Sequence, residues 1–138
     1  IVADEVRERT IESMSPGRQA IWDGLVVGPD DVTVMKNRYS ALVPGASSLE
    51  RILRNIGVDT ILIAGTKTNV CCESTARDAM MIDFKTIMVE DCCAALSDEE
   101  HRAALENIIQ QFGDVMTGQD VLDRMGDRHA GDPLRAAG

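Results

Sequence analysis

Apolar residues recur along this chain with two periods. Runs that are apolar and β-branched at most positions, residues 32–36 (VTVMK), 60–64 (TILIA), 85–90 (KTIMVE) and 114–117 (DVMT), predict strands. Between them the apolar positions fall three and four apart. Leu49, Ile52, Leu53 and Ile56 mark an amphipathic helix, with Ser47 or Ser48 to cap it, Glu50 in its first turn and Gly57 as its terminator. A helix over 70–81 can turn Ala76, Ala79 and Met80 to a sheet. Another opens at Ser97 with Asp98, Glu99 and Glu100, carries Leu105, Ile108 and Ile109, and stops after Phe112 at Gly113. A short helical piece is expected at 119–125, followed by a Gly/Pro/Ala tail at 126–138. Residues 1–28 are the least legible, with a turn at Ser15-Pro16-Gly17 and an amphipathic piece around Ile21, Trp22 and Leu25. Strands that alternate with helices and are apolar on both faces predict one α/β domain, a parallel sheet with helices on both sides.

In such sheets ligands gather beyond the C-terminal ends of the strands, where Lys36, the stretch 65–71 and Glu90-Asp91 all fall. The loop GTKTN carries Cys71 into the first turn of a helix. Unpaired backbone N–H groups and the positive end of the helix dipole favour a thiolate there. Gly65 permits unusual backbone angles, so the N–H groups of Lys67 and Cys71 can converge as an oxyanion hole. By position alone Cys71 fits a buried spacer as well as a nucleophile, and Lys36 is first read as a solvated strand-end lysine; beside a thiol it would favour the thiolate. A phosphate loop is a weaker match, because the glycine before the lysine of GK[ST] is missing.

The 138 residues carry 23 acids against 14 Lys and Arg, a net charge of −9, which disfavours nucleic acid and anionic membranes as partners. No apolar run reaches the roughly 18–20 residues of a membrane span, and a cytoplasmic location is expected. The cysteines form two adjacent pairs, Cys71-Cys72 and Cys92-Cys93, which matches neither zinc nor disulfide spacing. For three of the four a buried apolar role is expected. His101, on a charged helical stretch, and His129, in the tail, have no second ligand at metal spacing, so neither metal nor cofactor is expected. Met80, Met81 and Met88 read as core, and Glu73 and Arg77 as an i, i+4 pair.

The segments KNRYSAL (36–42), ILIAGTKTNVCCESTARDAM (61–80) and TIMVEDCCAALSDEEHRAAL (86–105) resemble the isochorismatase-like cysteine hydrolases, most of all the branch of ureidoacrylate and other ureido or amide hydrolases. The resemblance covers residues 31–125. It implies a three-layer αβα fold with a six-stranded parallel sheet, and an aspartate–lysine–cysteine triad in which Lys36 and Cys71 fill two places. It further implies a cis peptide between Thr66 and Lys67, oxyanion donors at the N–H groups of Lys67 and Cys71, Tyr39 and Asn69 at the substrate, and a homo-oligomer. The family's first strand, which carries the aspartate, has no match, and Asp30, Asp31 and Asp91 stand in the wrong places. The chain is therefore expected to be a C-terminal portion of the domain. The expected activity is hydrolysis of a C–N bond in a small amide or ureido compound through an acyl-enzyme. The alternatives are an isochorismatase-type vinyl-ether hydrolase, whose chemistry needs no cysteine, and a non-catalytic fragment or subunit half held in an oligomer.

Overall fold

The structure, a computed structural model, describes residues 3–13, 15, 17 and 20–130, without the side chains of 10, 13 and 127–130. The chain divides into two units, residues 1–33 and 34–138. In the first, helix α1 (Asp4–Ser13) opens with Asp4 and Glu5 in the turn where the dipole favours acids. Its Val6 and Ile11 are exposed. The amphipathic piece expected around Ile21, Trp22 and Leu25 is a turn instead, in which Leu25 N donates to the Trp22 carbonyl at 2.9 Å. Trp22 and Leu25 are exposed, so no buried surface rewards a helix there. The expected Ser15-Pro16-Gly17 turn lies outside the described residues at Pro16.

The second unit is built on three parallel strands, β1 (Thr60–Thr66), β2 (Lys85–Ala94) and β3 (Asp114–Met116), in the order β1-β2-β3. Helix α2 (Leu49–Asn55) precedes them, α3 (Glu73–Met81) and α4 (Asp98–Asn107) join them, and α5 (Gly118–Ala130) follows. One face of the sheet presents Ile63 and Met88 to Cys72, Ala76 of α3, Leu105 of α4 and Ile108, with Met88 and Ile108 fully buried. Ala79, Phe84 and Leu42 extend that layer toward Leu49 and Leu53 of α2. The opposite face packs Val89, Met116 and Ile87 against Val121 of α5. The fold is thus a parallel sheet between two helical layers, as the alternating pattern predicts. On the α5 side Leu62 stays exposed, and an apolar groove of about 320 Å³ runs past Thr60, Leu62, Ile87, Met116 and Met125.

Three boundaries differ from the sequence expectation. Residues 32–36 form no strand. A strand needs a ladder partner, and here the next residue turns back within its own loop, Asn37 N donating to the Ala46 carbonyl at 3.2 Å. β2 runs past Glu90 to Ala94: Ile63 pairs with Met88 but Gly65 pairs with Cys93, so β2 bulges by three residues in between. The bulge frees the Asp91 carboxylate to accept from Gly118 N at 2.7 Å, at the start of α5. α5 itself continues through 126–130, expected as tail. It is anchored by a reciprocal cap: Asp120 N donates to Thr117 Oγ1 at 3.1 Å, and Thr117 N donates to Asp120 Oδ2 at 3.2 Å. Residues 131–138 lie outside the described part.

Candidate active site

β1 leaves the sheet through Gly65, whose φ of +124° is open to glycine and strained for other residues. The Thr66–Lys67 peptide that follows is cis. The chain then winds into a single π-helical turn, Thr68–Cys72, which continues directly into α3. Val70 N and Cys72 N both donate to the Lys67 carbonyl at 3.2 Å, and Glu73 N donates to that of Thr68. These bonds use the N–H groups of Val70, Cys72 and Glu73 and leave those of Lys67 and Cys71 out.

The turn separates the two adjacent cysteines. Cys71 is half-buried and free, whereas Cys72 faces the core beside Ile63 and Met88. The Cys72 thiol hydrogen-bonds Cys93 of β2, and that bond together with burial pushes it far above an ordinary thiol. The same bond lowers Cys93, whose sulfur also contacts the Ile63 carbonyl at 3.7 Å. Cys92 points outward, raised by desolvation and by the neighbouring Asp91 charge. Of the four, only Cys71 combines access, a free thiol and a place at a strand-to-helix junction.

Lys36 is not at a strand end. Its ammonium donates to the carbonyls of Arg38 at 2.8 Å and Tyr39 at 3.1 Å, folding the lysine onto its own loop. Its charge is felt at Cys72, where it opposes the upward shift, and no hydrogen bond joins it to Cys71 among the described residues. The Tyr39 side chain is exposed. Asn69 is half-buried, and its Oδ1 has no hydrogen-bond partner among the described residues.

Thr75, which the sequence did not single out, ties the lysine loop to the cysteine turn. Its hydroxyl donates to the Cys71 carbonyl at 2.7 Å and accepts from Ala41 N at 3.2 Å. Thr68 was equally silent. It is fully buried, and its Oγ1 lies 2.9 Å from Nδ1 of His101, a histidine that sequence spacing sets aside. The one signal for either residue is a hydroxyl within a turn of the cysteine, too common a feature to select them. Glu73 pairs with Arg77 as the spacing predicts, and it also accepts from Asn107 Nδ2 of α4 at 3.2 Å. The His129 side chain lies outside the described residues. Among the described residues no cluster of His, Cys, Asp or Glu can hold a metal ion, and no helix is long and apolar enough to cross a membrane.

The parallel sheet and its two helical layers match the fold of isochorismatase-like hydrolases. Residues 4–120 match the isochorismatase domain, and the chain belongs to that family. The match begins in α1, so the illegible N-terminal stretch is part of the family's pattern. The chain is 33% identical over 130 residues to the uncharacterized isochorismatase family protein YwoC of Bacillus subtilis, covering 89% of this chain and 68% of YwoC. It is 36% identical over 102 residues to the ureidoacrylate amidohydrolase RutB of Enterobacter, covering 73% of this chain and 44% of RutB. The crystal structure of a cysteine hydrolase from Pseudomonas syringae superposes with a TM-score of 0.78 at 31% identity, over 89% of this chain and 64% of that one. The chain thus spans roughly half to two thirds of the length of these proteins.

Proposed function

We propose that the full-length protein is a cysteine-dependent hydrolase of C–N bonds in small amide or ureido compounds. The observation that carries this reading is Cys71: a free, half-buried thiol at the loop-to-helix junction, beside a second cysteine whose thiol is buried and engaged. The Cys71 thiolate attacks the substrate carbonyl. The N–H groups of Lys67 and Cys71 receive the negative oxygen. The C–N bond breaks, the amine leaves with a proton, and water hydrolyses the thioester. Lys36 supplies positive charge at the site, Asn69 Oδ1 accepts a substrate N–H, and Tyr39 contacts the substrate. The proton donor is the family's aspartate, which we place on a further strand beside β1. Among the described residues β1 is an edge strand, and that edge and the exposed Leu62 support the placement. An amide substrate is supported by the likeness to RutB, and a ureido group is the finer reading.

The test is hydrolysis of simple amides and ureido acids by the full-length protein and its variants. Cys71→Ala is expected to lose at least about a thousandfold in kcat and Lys36→Ala about a hundredfold, with Cys72→Ala within about threefold of the parent. Full turnover of the amide by Cys71→Ala would overturn the proposal, because the C–N bond would then break without the thiol.

A further inference from the structure

α4 looks like a solvated helix, with three acids in its first turn and Arg102 beyond them, yet His101 on that turn is half-buried and faces the loop that bears Cys71. Its Nδ1 lies 2.9 Å from Oγ1 of Thr68, a side chain with no exposed surface. Thr68 sits between Lys67, a proposed oxyanion donor, and Asn69, a proposed substrate contact. We propose that His101 is a positioning residue which, through Thr68, fixes the backbone of residues 67–71 in the arrangement that receives the oxyanion. The inference deepens the cysteine-hydrolase reading and rests on it.

The loop is held from two sides. From the helix side, the Lys67 carbonyl accepts from Val70 N and Cys72 N and the Thr68 carbonyl from Glu73 N, so the backbone is clamped along the turn. Those bonds hold the 67–68 and 68–69 peptide planes from the helix side and do not include the Thr66–Lys67 plane, which carries the Lys67 N–H. The Thr68 side chain is the second point of attachment, and its partner comes from another element 33 residues away.

That element is itself rigid. Ser97 caps α4 by accepting from Glu100 N at 3.2 Å, His101 N donates to the Ser97 carbonyl at 3.1 Å, and Leu105 and Ile108 further along are held in the core. The donor and acceptor roles follow the tautomer: with the ring proton on Nε2 the Thr68 hydroxyl donates to Nδ1, and with it on Nδ1 that N–H donates to Oγ1. A hydroxyl buried away from water has no substitute partner, so losing the imidazole frees the loop at that point.

The experiment compares Thr68→Val, Thr68→Ser, His101→Ala, His101→Asn and the Val/Ala double variant in the full-length protein. It reads amide hydrogen exchange of a peptide spanning residues 65–72 and steady-state kinetics on an amide substrate. Thr68→Val and His101→Ala are each expected to raise exchange in that peptide about tenfold, with peptides from β2 unchanged. They are expected to lower kcat roughly 10- to 100-fold with KM within about threefold, because only the transition state carries the oxyanion. Because both substitutions remove one bond, the double variant should match the worse single one. His101→Asn and Thr68→Ser, which restore a hydrogen-bonding atom, should recover most of the loss. Unchanged exchange in His101→Ala, or equal behaviour of the alanine and asparagine variants, would overturn the inference. Exchange decides it even if Cys71→Ala retains turnover and the cysteine-hydrolase reading fails.

Discussion

Two stretches meet at the candidate site, and they are built in different ways. The segment from β1 through α3 is fixed by a ladder to β2, by core packing of Ile63, Cys72 and Ala76, and by the close-wound turn that carries Cys71. The segment from Val34 to Ser48 has no regular structure. Its far end docks on the core through Leu42 and on Thr75 of α3 through Ala41 N, but the part that carries the lysine is exposed and held by bonds within the segment: Lys36 onto the Arg38 and Tyr39 carbonyls, Ser40 Oγ accepting from Leu42 N and Val43 N, and Ser47 Oγ donating to the Ala41 carbonyl. The first stretch positions a nucleophile by burying its surroundings, and the second holds a charge at its exposed end. The difference teaches that a thiol, which must meet one atom at one angle, is placed by the core, while an ammonium acting through its field is placed by local hydrogen bonds.

The largest expected break in this contrast is in stability. Met88→Ala empties a fully buried position behind the cysteine turn and should cost about 2–5 kcal/mol, read by denaturant unfolding. Met35→Ala, in the lysine stretch and 68% exposed, should stay within about 0.5 kcal/mol. Equal losses would show that the two stretches are held alike. A smaller effect probes the link between them. Thr75→Val removes the bond to the Cys71 carbonyl and leaves Ala41 N without its acceptor, and should cost about 1–2 kcal/mol. A loss near zero would mean that the lysine loop does not depend on α3.

The same contrast explains what was legible. Periods of two and 3.6 and the stop at Gly57, whose φ is +76°, describe β1, α2 and α3 because the core they face is local and mostly in this chain. Residues 32–36 carry as good a strand pattern as β1, yet a pattern becomes a strand only where a neighbour supplies the ladder, and no spacing in 32–36 reports on that neighbour. The β2 bulge escaped for the same reason, since register belongs to two strands at once. At the site, Cys71 was marked by its junction and Lys36 by the family resemblance. Thr68, Thr75 and His101 were not, because each matters through a partner on another element, and the acids around His101 describe a solvated helix well enough to hide it.

In the proposed mechanism Cys71, alone among the four thiols, does the chemistry. Limited iodoacetamide treatment of the full-length protein at neutral pH, with peptide mapping and residual activity measured on the same samples, tests it directly. The first carbamidomethyl group is expected on Cys71, with activity falling in proportion to it and substrate slowing both. Cys72 should react last because it is buried and hydrogen-bonded, and exposed Cys92 slowly because its thiol stays protonated. Complete labelling of Cys71 with activity intact, or inactivation that follows labelling of Cys92 or Cys93 instead, would contradict it.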